Sequence, residues 1–143
     1  MKKDHLSENS IISLIFSVSR NLRQKSQAKG KGNDQQRLSL VQLETLKFID
    51  EHKHPLMKEV AEYLFIAPPS LTTLIDGLEK RGFVRRGAST NDRRAVFICL
   101  TRTGKTILQH SLRKKTEKMQ YVFSTLSDAE QKTLIKILEK LSE

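Results

Sequence analysis

Residues 60–101 carry the stretch VAEYLFIAPPSLTTLIDGLEKRGFVRRGASTNDRRAVFICLT, which decides the fold. Its centre predicts a helix that begins at about Pro68 or Pro69, because proline is tolerated in the first turn of a helix but not in its interior. Apolar residues then recur at i, i+3, i+4 and i+7, which indicates one buried helix face. These residues are Leu71, Leu74, Ile75 and Leu78. Arg81 and Gly82 supply the cation and the glycine that commonly end a helix.

A short helix and a β-hairpin flank this central helix. Residues 58–64 predict a short helix, and residues 65–67 predict the tight connection that two crossed helices need. Residues 83–86 and 95–100 predict two strands, which the polar segment 87–92 joins. The order predicts a helix-turn-helix followed by a wing whose arginines need either solvent or an anionic partner. Those arginines are Arg85, Arg86, Arg93 and Arg94.

The polar face of the central helix is a candidate DNA-contacting surface. Serine and threonine hydroxyls hydrogen-bond to bases or phosphates, and a threonine methyl can contact the thymine methyl. The candidate residues are Pro69, Ser70, Thr72, Thr73 and Asp76. Taken alone, this face fits an ordinary solvated helix surface better than a DNA-contacting surface. The neighbouring short helix and the basic hairpin shift the interpretation towards DNA binding. Pro69 also removes a backbone amide that could bind a phosphate there.

The run from Leu71 to Arg85 resembles the DNA-binding core of the MarR family of winged-helix transcriptional regulators. The family's wing motif Asp-x-Arg is matched by Asp92 and Arg94. The motif Leu-Thr-x-x-Gly that follows it is matched by Leu100, Thr101 and Gly104. The resemblance implies a mainly α fold with a small β-hairpin wing, in which N- and C-terminal dimerisation helices flank a winged helix-turn-helix core.

The resemblance also implies roles for the matched residues. The helix 68–81 would enter the major groove, and Arg94 would reach from the wing tip into the minor groove, whose negative potential suits a long guanidinium side chain. Asp92 would hold the wing by pairing with Arg93 or Arg94. The alternative for Asp92 and Arg94 is a surface ion pair of little energetic worth. The expected phosphate contacts are Lys58, Arg85 and Arg86.

Apolar stripes near both chain ends lie outside this core. They are carried by predicted helices and consist of Ile11, Leu14, Ile15, Val18, Leu134, Ile137, Leu138 and Leu141. A monomer could pack the stripes on each other, whereas the resemblance implies that they interlock with a second copy. Such a twofold homodimer would present two recognition helices to a palindromic site about one turn apart. The expected organisation is therefore a single chain 1–143 with a DNA-binding lobe at 39–101 and dimerisation helices at 6–25 and 102–143.

Three further segments have simpler interpretations. Ser39 and Gln42 have the spacing of a capping box and predict a helix that ends near His52. Residues 27–37 contain two glycines and no periodicity, which predicts an exposed linker, with a basic DNA-contacting loop as the alternative. Leu56 and Met57 predict a short strand against the wing.

Composition limits the class of protein. The chain has 143 residues and a formal net charge of +10, which favours an anionic partner such as nucleic acid, although an acidic membrane surface would also fit. No apolar run approaches the roughly 18 residues that span a bilayer, and no secretion signal is evident. A single cysteine excludes an intramolecular disulfide and suits a cytoplasmic protein.

Metal, cofactor and catalytic sites find little support in the sequence. The histidines and carboxylates of residues 50–54 fit an exposed helix end better than a metal site, and Cys99 fits a small apolar filler better than a redox sensor. No cofactor and no enzymatic activity are predicted.

We therefore expect a sequence-specific transcriptional regulator, a repressor rather than an activator, whose DNA affinity is modulated by a lipophilic or phenolic effector. The alternative is a winged-helix protein-interaction or architectural DNA-binding module without sequence specificity.

Overall fold

The computed structural model describes residues 8–27, 37–89, 91–92 and 94–143. Helices and a two-stranded hairpin make up this part of the chain, which confirms the expected mainly α fold with a small wing. The elements are α1 (Glu8–Gln27), α2 (Leu40–His52), α3 (Met57–Leu64), α4 (Pro68–Lys80), β1 (Val84–Ala88), β2 (Val96–Leu100), α5 (Arg102–Phe123) and α6 (Asp128–Ser142). The expected helix start at Leu6, residues 28–36 of the linker that was predicted over residues 27–37, and Arg93 lie outside the described residues.

The described residues fall into two compact units. The winged-helix unit spans residues 37–114, and the terminal unit combines α1 with residues 115–143. The lobe boundary expected at residue 101 stays a prediction, and the first half of α5 falls within the winged-helix unit. The reason is burial, since Gly104, Ile107 and Leu108 lie within its core.

The core of the winged-helix unit forms where α2, α3 and α4 pack together and against the wing. Helix α2 opens with the predicted capping box, in which Ser39 Oγ accepts from Gln42 N at 3.2 Å and Gln42 Oε1 accepts from Ser39 N at 2.9 Å. The central apolar residues of the predicted faces are buried as expected. They include Leu43, Leu46, Ile49, Val60, Ala61, Leu71, Ile75 and Leu78. Burial of this set fixes the orientation of α4 in the lobe.

The turn between α3 and α4 depends on an unusual backbone conformation. Phe65 adopts a left-handed conformation with φ of 52°, and its side chain is almost fully exposed. Helix α4 then begins at Pro68, as its prolines predict, and ends at Lys80. Gly82 follows with φ of +76°, a conformation that glycine adopts without steric cost.

The wing is an antiparallel hairpin in which Val84 pairs with Leu100 and Arg86 pairs with Ile98. Leu56 adds a single bridge to Phe97, so the predicted third strand is only one residue long. Met57, which was predicted to share that strand, instead begins α3. Ile98 N also donates to Pro55 O at 2.9 Å, which ties the wing to the segment before α3.

Helix α5 leaves the wing through a tightly fitted first turn. Thr101 Oγ1 accepts from Gly104 N at 3.0 Å, as expected of a capping residue, and donates to Gly82 O at 2.5 Å. The backbone of Gly104 lies directly against Phe83, so that a Cβ at this position would stand 2.0 Å from Phe83 O. Glycine at position 104 therefore permits the close approach of α5 to the residues that precede β1.

The terminal unit leaves its apolar stripes largely uncovered. In α1, Ile11, Leu14, Ile15 and Val18 are each more than half exposed. Helix α6 buries none of its residues, and Leu141 is 76% exposed. Ser127 and Glu130 cap the start of α6 through reciprocal hydrogen bonds. The Glu130 carboxylate accepts from the backbone N–H and the side chain of Ser127, and these hydrogen bonds lower the pKa of Glu130 below its ordinary value. A helix with a capped start thus presents a largely exposed apolar face.

Candidate nucleic-acid interface

The exposed face of α4 presents the predicted polar residues to solvent. Ser70, Thr72 and Thr73 are exposed, as is Pro69. Thr72 Oγ1 donates to Pro68 O at 3.1 Å and Thr73 Oγ1 donates to Pro69 O at 3.2 Å. Each hydroxyl proton is therefore held by the helix, which leaves the oxygen lone pairs free to accept from a base amino group.

The N-terminus of α4 offers one backbone donor. Pro68 and Pro69 have no N–H group, and Leu71 N already donates to Ala67 O at 3.1 Å. Among the first helical amides this leaves Ser70 N–H without an intrahelical acceptor. The proline pair thus narrows the possible backbone contacts here to a single phosphate or base hydrogen bond.

The wing tip is organised by Asp92. Its Oδ1 accepts from Arg94 N at 2.9 Å, and its carbonyl accepts from Ala95 N at 3.0 Å. We had expected Asp92 to pair with a guanidinium group, but among the described residues its recorded contact is with the backbone of Arg94. The exposed guanidinium of Arg94 therefore stays available for DNA, whereas Arg93 lies outside the described residues.

Arg86 differs from the other wing arginines because it lies against α4. Its Nη2 donates to Asp76 Oδ1 and lies 3.5 Å from Thr72 O, while Nη1 lies 3.3 Å from Glu79 Oε2. Two predicted DNA contacts, Arg86 and Asp76, are thus bonded to each other. Arg85, the neighbouring residue on β1, is exposed and has no ion pair among the described residues.

Lys58 stands on the exposed side of α3. Its Nζ lies 3.9 Å from Glu62 Oε1, and both side chains are more than two-thirds exposed. Such an exposed i,i+4 pair contributes little. Lys58 is therefore free to exchange this carboxylate for a phosphate, and its predicted role stays a prediction.

A basic cleft of about 860 Å³ lies between the end of α4 and the first half of α5. Lys80, Arg81 and Arg113 line it together with the apolar side chains of Phe83 and Ile107. No carboxylate is among the described residues that form its wall. This combination suits an organic anion with an apolar body.

Sequence reasoning missed two residues of this surface. Glu79 shares the Arg86 guanidinium with Asp76, and its i+3 spacing from Asp76 on α4 could have indicated a shared partner. Arg81 was seen only as a helix-ending cation. It also lies over the Phe83 ring at 4.7 Å and donates to Arg37 O at 2.9 Å, and the second contact joins distant segments that spacing alone does not bring together.

Other classes of site would need a reactive cysteine, a set of metal ligands or a membrane-spanning helix. Cys99 is half-buried on β2, and its thiol lies 3.8 Å from Arg85 O. Within the described ranges, no three histidine, cysteine or carboxylate side chains cluster as metal ligands would. No described helix combines the length and apolar content that a membrane crossing requires.

The chain is similar in sequence and in structure to known transcriptional regulators. The profile of the MarR family matches residues 38–96. The uncharacterized HTH-type transcriptional regulator YpoP of Bacillus subtilis is 32% identical over 106 residues, which cover 74% of this chain and 75% of YpoP. The HTH-type transcriptional repressor YetL of the same organism is 31% identical over 115 residues, covering 80% and 66% of the two chains. The structure of Streptococcus pneumoniae FabT in complex with DNA matches with a TM-score of 0.79 at 22% identity, covering 95% of each chain.

Proposed function

The chain belongs to the MarR family of transcriptional regulators, and we propose that it represses transcription by binding palindromic operators as a homodimer. Helix α4 enters the major groove through Pro69, Ser70, Thr72 and Thr73. Arg94 reaches the adjacent minor groove from the wing. The proposal places this activity in the cytoplasm, where the DNA lies, and assigns no catalytic step.

One observation carries the proposal. A polar, exposed α4 face and an exposed arginine at the tip of the adjacent wing belong to the same compact unit. The shared core holds α4 and the wing in a fixed relation, as simultaneous reading of neighbouring grooves requires. The net charge of +10 favours association with the phosphate backbone.

Selection of binding sites from random duplex DNA at about 150 mM salt tests this function. We expect wild-type protein to recover a near-palindrome, and Arg94→Ala to bind it about tenfold or more weakly because a minor-groove contact is lost. Arg20→Ala, on the polar side of α1, removes the same charge and should bind as wild type does. Binding without sequence preference would instead support an architectural or protein-interaction module.

A homodimer is proposed because the terminal unit exposes apolar faces on α1 and α6. Faces of this kind on a soluble protein usually mark an interface. A second copy satisfies both faces at once through a twofold axis, which also matches the symmetry of a palindromic operator.

Regulation by an effector is proposed at the basic cleft. We had predicted a lipophilic or phenolic effector, and the cations of the cleft favour one that also carries an anionic group. Arg81 links the cleft to DNA binding, since it caps α4 and also donates to Gln42 Oε1 at 3.4 Å in the α2 capping box. An anion that attracts Arg81 would compete with these contacts and shift the end of α4.

A matched pair of probes tests the effector proposal. We expect 2-naphthoate to weaken operator binding about fivefold or more, a typical coupling between two sites, whereas neutral 2-naphthol should not. Arg113→Ala should abolish the response, and Lys114→Ala, which changes an exposed neighbour outside the cleft, should retain it. An equal effect of both compounds would instead indicate a lipophilic site, and an unchanged response in Arg113→Ala would place the site elsewhere.

A further inference from the structure

We propose that Arg86 is a positioning residue, which fixes the wing to the recognition helix α4 and so determines sequence discrimination, rather than a phosphate contact. The inference rests on the proposed function, in which α4 and the wing contact DNA together. It replaces the expectation that Arg86 binds phosphate, and it adds Glu79 to the residues on which recognition depends.

The contacts of Arg86 join two separate elements. Arg86 lies on β1 opposite Ile98, and its guanidinium reaches across to Asp76 and Glu79, which stand three residues apart on α4. Both nitrogens of the guanidinium fork are used, one for each carboxylate. A planar fork held at two points fixes direction as well as distance, which a single charge contact does not.

Charge balance argues against a phosphate contact. Asp76 and Glu79 together carry two negative charges, and Arg86 supplies one positive charge, so the cluster retains no positive charge to offer. Without Arg86, both carboxylates would stand unpaired beside the proposed DNA-contacting face and would repel phosphates. Arg86 therefore neutralises part of this repulsion while it holds the wing.

The exposure of Arg86, Asp76 and Glu79 indicates that their ion pairs contribute little to the stability of the fold. The Arg86 side chain is 29% exposed, but Asp76 is 57% and Glu79 40% exposed. Ion pairs with such access to water contribute little to folding free energy. The ion pairs instead fix the orientation of the wing relative to α4. This orientation matters when both elements bind one DNA duplex.

Arg85 provides a matched comparison. It precedes Arg86 on β1, and neighbouring strand residues point to opposite faces of a hairpin. Arg85→Ala removes the same charge as Arg86→Ala without breaking the cluster. Arg86→Lys keeps the charge but removes the fork that joins the two carboxylates.

The test measures affinities for the selected operator and for random duplex DNA between 50 and 200 mM salt. We expect Arg86→Lys and Arg86→Ala each to lower the operator-to-random affinity ratio about tenfold, as the loss of one base contact would. For Arg86→Lys, which keeps the charge, the slope of log affinity against log salt should stay as in wild type, because no phosphate contact is lost. Arg85→Ala, which removes an expected phosphate contact, should lower the affinity for both DNAs to the same extent and reduce the slope by about 0.9, and it should therefore leave the affinity ratio unchanged.

Two results would overturn the positioning role. One is an Arg86→Lys variant that binds like wild type. The other is an Arg86→Ala variant that loses affinity equally for both DNAs, with a slope smaller by about 0.9, as the loss of one phosphate contact predicts.

A second variant keeps the test valid where Arg86→Ala does not fold. The double variant Asp76→Asn/Glu79→Gln should lower the operator-to-random affinity ratio, because it removes both carboxylates that hold Arg86. A purely electrostatic role of the cluster predicts a different result. The loss of negative charge near DNA would then raise the affinity for both DNAs and leave their ratio unchanged. Failure of the proposed function gives a different result from failure of the positioning role. In the first case wild-type protein itself shows no preferred sequence, and the positioning role is then also wrong.

Discussion

Gly104→Ala is expected to destabilise the winged-helix unit by about 2–3 kcal/mol, the upper end of the usual range for overpacking. The added Cβ would stand 2.0 Å from Phe83 O and 2.9 Å from Phe83 C. These are backbone atoms, so no side-chain rotation relieves the clash. Helix α5 and the segment before β1 would have to move apart.

The clash would also disturb the contacts that begin α5. Phe83 O accepts from Thr101 N at 3.0 Å, and Thr101 in turn caps the helix through Gly104 N. Separation of the two segments weakens both hydrogen bonds, and each such loss costs about 1 kcal/mol. We therefore expect lower operator affinity as well, because the wing hairpin lies between these two segments.

Gly77→Ala is the matched control for this substitution. Gly77 lies within α4, is exposed, and a Cβ there would meet no atom within 4 Å. Alanine is favoured over glycine in a helix interior, so this variant should be more stable by about 0.5–1 kcal/mol. Urea denaturation of the three proteins measures both changes, and a Gly104→Ala protein as stable as wild type would show that α5 can shift freely away from Phe83.

The helix boundaries could be predicted because their determinants are local. The prolines at 68 and 69 allow α4 to begin only there, and Gly82 supplies the left-handed residue that follows its end. The Ser39–Gln42 capping box likewise acts within four consecutive residues. All the residues that determine such a helix boundary lie within a few positions of one another in the sequence. The fold could therefore be predicted from these boundaries together with the family resemblance.

The partners of the charged side chains could not be predicted in the same way. Alternation along β1 shows that Arg85 and Arg86 face opposite sides, but not that Arg86 meets Asp76 and Glu79 on α4. That contact depends on how the hairpin packs against the helix, which spacing does not encode. The same holds for Gly104, whose close approach to Phe83 joins segments on either side of the wing.

Leu14→Glu is expected to raise the dimer dissociation constant about a thousandfold. Burial of a leucine side chain contributes roughly 1.5–3 kcal/mol, and a twofold interface repeats each substitution in both copies. Two losses of about 2 kcal/mol correspond to about three factors of ten. Sedimentation at micromolar concentration should therefore show wild-type dimers and Leu14→Glu monomers that retain their helical circular dichroism.

Asn21→Glu is the control, since it adds the same charge to an exposed polar position of α1 and should remain dimeric. The effect should extend to DNA, because a dimer holds its second recognition helix at high effective concentration beside the second half-site. Leu14→Glu should thus bind a full palindrome no better than a single half-site, whereas wild type prefers the palindrome. A Leu14→Glu dimer would show that α1 lies outside the interface, and a monomeric wild type would remove the basis for palindromic recognition.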